Sequence, residues 1–186
     1  MDATLSIAFL AERSPRLLSE GVRMRNVFAQ NYAGVWRFLR RMGVDADRVD
    51  DAAQNVFLVA LEAFPRIAEG SERAFLFATA VRVAYATRRK FAREVMSEAL
   101  DAGHSSMPAP DQLTDQKRAR EILDAMVDRL SADVRPVFVL AEVEQFKVPE
   151  IADLLGIPIG TAASRLRRGR DQFRAEVARA FGGDNG

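Results

Sequence analysis

The chain has 186 residues, 48% of them hydrophobic, with a formal net charge of +1, which suits one ordinary domain or two small ones and excludes a wholly disordered protein. It has no cysteine, so disulfide scaffolds, thiolate metal sites and cysteine nucleophiles are excluded together. No apolar run is long enough to span a bilayer, and Asp2 stands where a signal peptide needs positive charge, so a cytoplasmic protein without membrane insertion is expected.

Residues 1–25, with Ile7, Phe9 and Leu10 ahead of Pro15, read as an N-terminal extension that serves as a small packing or inhibitory element. Residues 26–95 read as a helical block. Phe28, Tyr32, Val35, Trp36 and Leu39 form its first apolar seam, with Trp36 expected in the core. Ala53, Val56, Phe57, Ala60, Leu61 and Phe64 form a second, which Pro65 closes. A third helix is expected from Glu72 to Arg93, and its stretch Arg82–Arg93 holds five basic residues and no acid.

Residues 96–116 lose periodicity around Gly103, Ser105, Ser106, Pro108 and Pro110 and read as a flexible linker, with His104 a solvated side chain within it. Residues 117–180 form a second helical block, followed by a tail at 181–186. Helices are expected over Arg118–Leu130 and Val134–Val143, the latter turning Val134, Val137, Phe138 and Ala141 inward. The fold class is therefore all-α, two small helical domains joined by a flexible linker.

The second block ends in the most specific pattern. Ile151, Leu154 and Leu155 repeat at helical spacing. Gly156 then suits the left-handed residue that closes a helix, and Pro158 cannot continue it. Lys147 stands where a hydroxyl N-cap is usual, and Pro149 lies in the first turn, where proline is tolerated. A second helix opens near Gly160 and Thr161, with Ile159, Ala162, Leu166 and Phe173 expected inward and Thr161, Ser164, Arg165 and Arg168 outward. Ile159–Arg170 holds four arginines, Arg165, Arg167, Arg168 and Arg170, and no acid. Helix, glycine turn and arginine-rich helix make a helix-turn-helix, whose hydroxyls and guanidinium forks suit phosphate oxygens and guanine edges.

Taken together, these segments resemble an extracytoplasmic-function (group IV) sigma factor of the sigma-70 family. The resemblance is carried by Tyr32–Arg41 with Asp50–Leu58, by Arg73–Leu76 leading into Arg88-Arg89-Lys90, and by Leu130–Arg170. It implies a sigma-2-like bundle at 26–95 and a sigma-4-like helix-turn-helix domain at 117–180. It also implies promoter DNA and core RNA polymerase as partners, the latter through the clamp helices of its largest subunit and the flap of its second-largest. Some members are held by an anti-sigma factor and others by extensions of their own chain.

The resemblance assigns polymerase binding to Asp51, Gln54, Asn55, Leu58 and Glu62, which share one helical stripe. It assigns the minus-ten element to Arg73, Phe75, Arg82, Tyr85, Arg88, Arg89 and Lys90, with Ala68–Arg73 as the loop that traps an unpaired base. Alternating rings and guanidinium groups on the third helix suit a single strand, since bases stack on the rings while the cations meet phosphates. The minus-thirty-five element falls to Thr161, Ser164, Arg165, Arg167, Arg168 and Arg170. Phe75, Arg82 and Ala86 depart from the tryptophan, asparagine and aspartate common in the family, and Ala163 from a lysine or arginine.

Two other classes fit the sequence less well. A polymerase-independent helix-turn-helix regulator would bind duplex DNA tightly by itself. An enzyme finds little support, because the only histidine is His104 in the linker and no metal-ligand cluster, phosphate-cradling loop or nucleophile motif occurs. No cofactor and no metal are expected.

Overall fold

The computed structural model describes residues 3–98 and 115–181, with side chains over 20–93 and 122–181. His104, most of the expected linker and residues 182–186 lie outside the described residues. Within them every regular element is helical, with no strand, as the periodicities lead one to expect.

Helix α1 (Ala3–Arg41) runs unbroken from the expected extension into the first block. Its buried seam is Val35, Phe38, Leu39 and, just beyond its end, Met42. Tyr32 stays 46% exposed and stacks on Phe57 with ring centroids 5.6 Å apart. Trp36 is only partly buried, because its indole Nε1 donates to Asp50 Oδ1 at 2.7 Å at the edge of the core. The helix closes where Gly43 turns left-handed at φ 79°, letting Val44 N–H donate back to the Leu39 carbonyl at 3.1 Å.

Helix α2 (Val49–Ala63) buries Ala52, Ala53, Val56, Phe57 and Ala60. Leu61, expected in this seam, is 43% exposed, since its position lies past the edge of the stripe that α1 and α3 cover. Pro65 sits in a short 3-10 turn, Phe64–Arg66, that ends the helix. Helix α3 (Glu72–Glu98) packs Leu76, Phe77, Ala80, Val81 and Ala84 against α1 and α2.

The second unit begins with α4 (Asp115–Asp128). The helix expected over Val134–Val143 divides into a short α5 (Arg135–Phe138) and a π turn, Val139–Val143. This turn and left-handed Gln145 (φ 58°) redirect the chain into α6 (Val148–Leu155). Lys147 has no side-chain acceptor for the cap. The reciprocal half of the box remains, with Lys147 N–H donating to Glu150 Oε2 at 2.6 Å. Gly156 at φ 62° ends α6 as expected, and α7 (Ile159–Phe181) follows.

Helix α7 buries Ala162, Leu166, Gly169 and Glu176. Ile159 is a correction: it is 56% exposed, because it sits in the first turn of α7 ahead of the surface that α5 and α6 provide. Gly169 allows the close approach of α5, and a Cβ there would lie 2.8 Å from Val134 Cγ1 and 3.1 Å from Phe138 Cβ.

The two units share an apolar junction. Phe77 of α3 meets Phe146 edge-on at 5.4 Å between centroids, so one buried cluster runs from Val35 and Phe38 through to Val137, Leu140 and Ile151. Arg41, 6% exposed, crosses the same junction to Asp124 at 2.8 Å.

Candidate nucleic-acid interface

The outer side of α7 follows from its buried seam. With Ala162, Leu166, Gly169 and Glu176 inward, the 100° step between residues turns Ser164, Arg167, Asp171 and Arg174 most directly outward. Arg168 lies on one shoulder, with Thr161 and Arg165 further round on that side, both partly buried; Arg170 lies on the other. Ser164 Oγ donates to the Thr161 carbonyl at 3.0 Å, which fixes the hydroxyl against its own helix.

Acids of the same unit hold three of the four arginines. Arg168 Nη2 donates to Asp133 Oδ2 at 2.9 Å, and Arg165 Nε lies 3.7 Å from the same oxygen. Arg170 meets Glu142 Oε1 at 2.8 Å. Arg167 is exposed and makes no ion pair among the described residues. For Asp133, slight burial works to raise the carboxyl pKa, but hydrogen bonds from Ser131 and Arg168 and the Arg168 charge outweigh it and hold the group below its ordinary value. Composition around Arg165–Arg170 gave no sign of these partners, since Asp133 and Glu142 lie about thirty residues upstream.

On α3 the expected minus-ten residues separate into three groups. Arg82, Tyr85, Arg89 and Lys90 are exposed and, with Ala86 and Arg93, line one shallow groove of about 400 Å³. Arg82 Nη2 donates to Thr79 Oγ1 at 3.2 Å, which holds the guanidinium end of its side chain against α3. Arg88 instead turns toward the end of α1, where Nη1 donates to the Met42 carbonyl at 3.3 Å. It thereby ties α3 to the turn at Gly43.

Phe75 and Arg73 face the other unit. Phe75 is partly buried in an apolar cleft of about 690 Å³, formed by Ile67, Ala68, Ser71, Ala74 and Ala78 on one side and Glu150, Asp153 and Leu154 of α6 on the other. Arg73 Nη2 donates to the backbone carbonyl of Glu144 at 2.8 Å and lies 3.1 Å from its Oε2. Burial raises the Glu144 pKa, while the charges of Arg73, Arg41 and Arg37 oppose that shift.

Asp51, Gln54, Asn55, Leu58 and Glu62 all lie on the exposed side of α2. Asp51, Gln54 and Leu58 border a groove of about 590 Å³ between α1 and α2, whose floor is Phe28, Tyr32, Phe57 and Leu61. Leu58 is 50% exposed, so the groove is apolar with a carboxylate rim. Tyr32 and Leu61 belong to this surface although periodicity assigns them to the core; their only sequence signal is their place at the edges of the two seams. Among the described residues no group of acids and histidines could hold a metal ion, and no helix is long and apolar enough to cross a membrane.

Residues 27–94 match the family described as sigma-70 region 2, and residues 120–173 match sigma-70, region 4. The chain is 27% identical to the ECF RNA polymerase sigma factor SigE of Mycolicibacterium smegmatis over 149 residues, spanning 78% of this chain but 58% of that protein. It is 31% identical over 150 residues to the probable RNA polymerase sigma-C factor of Mycobacterium bovis, with 77% of each chain covered. The fold is also that of the sigma factor RpoE solved in complex with the anti-sigma factor NepR from Bartonella quintana, at a TM-score of 0.66 and 24% identity, over 82% of this chain and 95% of that one. With both regions matched in order, and a relative of this identity covered over most of its length, the chain belongs to the sigma-70 family of RNA polymerase sigma factors, of the extracytoplasmic-function type.

Proposed function

We propose that this sigma factor confers promoter specificity on core RNA polymerase by dividing the start site between its two units, and that it catalyses no reaction itself. In this reading residues 26–95 bind the core enzyme and the minus-ten element, residues 117–180 read the minus-thirty-five element, and residues 96–116 connect them. The observation that supports it is the separation of three different surfaces over four helices. A basic aromatic groove lies on α3, an apolar groove with a carboxylate rim lies between α1 and α2, and a hydroxyl and guanidinium face lies on α7.

Each surface suits one partner chemically. Tyr85 supplies a ring for a base while Arg82, Arg89 and Lys90 meet the backbone of a separated strand. Leu58 and Tyr32 supply apolar area that a partner helix would cover, with Asp51 positioned for cations at its rim. The clamp helices of the largest polymerase subunit would occupy that groove, and the flap of the second-largest would engage the second unit. On α7, Ser164, Arg167 and Arg168 are placed to enter a major groove. Joining both units to one polymerase raises the effective concentration of the second DNA contact once the first has formed. An anti-sigma factor would act by covering the same polymerase-facing groove.

The test is reconstituted transcription with core enzyme on a pool of promoter fragments randomised in both elements. Enrichment of a paired upstream and downstream element, dependent on this chain, is the expected result. Equal operator binding with and without core enzyme, and no start-site selection, would replace this reading with that of a free-standing regulator.

A further inference from the structure

Among the described residues, Asp133 is the one acid that touches two arginines of α7. It lies just ahead of α5, in a turn fastened to α7 from the other side: Ser131 N–H donates to Gln172 Oε1 at 3.1 Å, and Ser131 Oγ lies 3.2 Å from the same oxygen. The Arg135 and Val134 N–H groups both donate to the Ser131 carbonyl, at 2.9 and 3.0 Å, so three hydrogen bonds set the backbone beneath Asp133 and a fourth holds the Ser131 side chain. Its Oδ2 then accepts from Arg168 at 2.9 Å and stands 3.7 Å from Arg165 Nε, a buried nitrogen with no hydrogen-bond partner.

From this geometry we infer that Asp133 is a positioning residue for upstream promoter recognition, holding Arg168, with Arg165 behind it, in the orientation that reads a base edge. The inference rests on the reading of α7 proposed above. A free arginine has many rotamers and a charge that meets any phosphate. One held by a carboxylate on a rigid turn presents its remaining N–H groups in a single direction. The carboxylate also repels phosphate oxygens that approach off register, so it lowers affinity for unrelated DNA as it favours the fitting base pair. Arg167, one position away and without such a partner among the described residues, is left to supply register-independent attraction.

The experiment uses full-length chain in holoenzyme and a promoter pool randomised over the minus-thirty-five element, with wild type, Asp133→Asn, Asp133→Glu, Arg168→Ala and the double variant Asp133→Asn/Arg168→Ala. Asp133→Asn is expected to flatten the preference at one or two adjacent base positions by about two- to fivefold, the range set by an exposed ion pair, and to raise binding to unrelated duplex. Asp133→Glu restores part of the preference, and Asn adds nothing further in the Arg168→Ala background. Thermal melting of each free chain separates this from lost folding. A wild-type preference profile for Asp133→Asn overturns the inference, as does a uniform loss at every position accompanied by a lowered Tm. No enrichment by wild-type holoenzyme would overturn the reading of α7 and this inference with it; enrichment unchanged by Asp133→Asn would overturn the inference alone.

Discussion

Arg73 of α3 spans the junction to Glu144, just past the π turn, with Nη2 2.8 Å from the Glu144 carbonyl oxygen and 3.1 Å from Oε2. Its guanidinium lies 4.9 Å from the ring centroid of Phe77 and 4.3 Å from that of Phe146, the two rings that join the units. A residue at the edge of the loop expected to meet melted DNA is thus occupied by the other unit. Arg73→Ala should loosen the junction by about 1 kcal/mol, counting the half-buried ion pair and the ring contacts together. Because the chain has no cysteine, two can be introduced at exposed sites, one in each unit, for fluorescence transfer. Lower transfer efficiency in Arg73→Ala is expected, and an unchanged value would deny the contact a role in holding the units together.

Glu144 also sets a pH dependence. Burial raises its pKa above the ordinary 4.5 in the packed arrangement, against the pull of Arg73, Arg41 and Arg37. A raised value means that the packed state binds the proton more tightly than the unfolded chain does. Its contribution is therefore fully present below 4.5 and is lost as pH rises through the raised value. Denaturant melts across that window should show this loss in the wild type, and Glu144→Gln should remove that part of the slope.

Gly169 tests the packing of α7. A methyl group there would meet Val134 Cγ1 at 2.8 Å and the Phe138 ring at 3.1 Å. Gly169→Ala should cost about 1–3 kcal/mol through overpacking, although alanine is the better helix former. A higher Tm in this variant would show that α5 yields without strain.

Leu58 is the apolar centre of the rim on α2 and is half exposed. Leu58→Asp should weaken binding to core polymerase by about tenfold or more, as loss of a central apolar anchor does, and leave the melting temperature nearly unchanged. Equal affinity would move the polymerase contact to another surface.

Tyr85, 40% exposed, stands among Arg82, Arg89 and Lys90. Tyr85→Ala should destabilise the open promoter complex by about 1–3 kcal/mol, the worth of one stacked base. Permanganate footprinting of melted thymines would read the change, and full reactivity would exclude this ring from stacking.

Much of the chain is legible from its sequence because helical periodicity, Gly156 and Pro65 act over a few residues. The seams at Val35, Leu39, Ala53, Val56, Ala162 and Leu166 and the ends of α2 and α6 follow from such local rules. The same rules misplace residues at the edges of a stripe. Tyr32, Leu61 and Ile159 carry apolar side chains at helical spacing, yet only the position of a neighbouring helix decides whether such a residue is covered. The break at Val139–Val143 likewise has no proline or glycine to announce it.

Charge shows the limit most clearly. The arginines of α3 and α7 and their common helix faces are readable from spacing alone. Which of them remain available is not, because the acids that engage them come from distant segments: Asp133 for Arg168, Glu142 for Arg170 and Glu144 for Arg73. The sequence by itself determined the helices, their inward seams and the two basic faces, since those depend on short-range spacing. Only the tertiary structure decided which arginines are held and by what, since a Coulomb contact depends on distance in space and not along the chain.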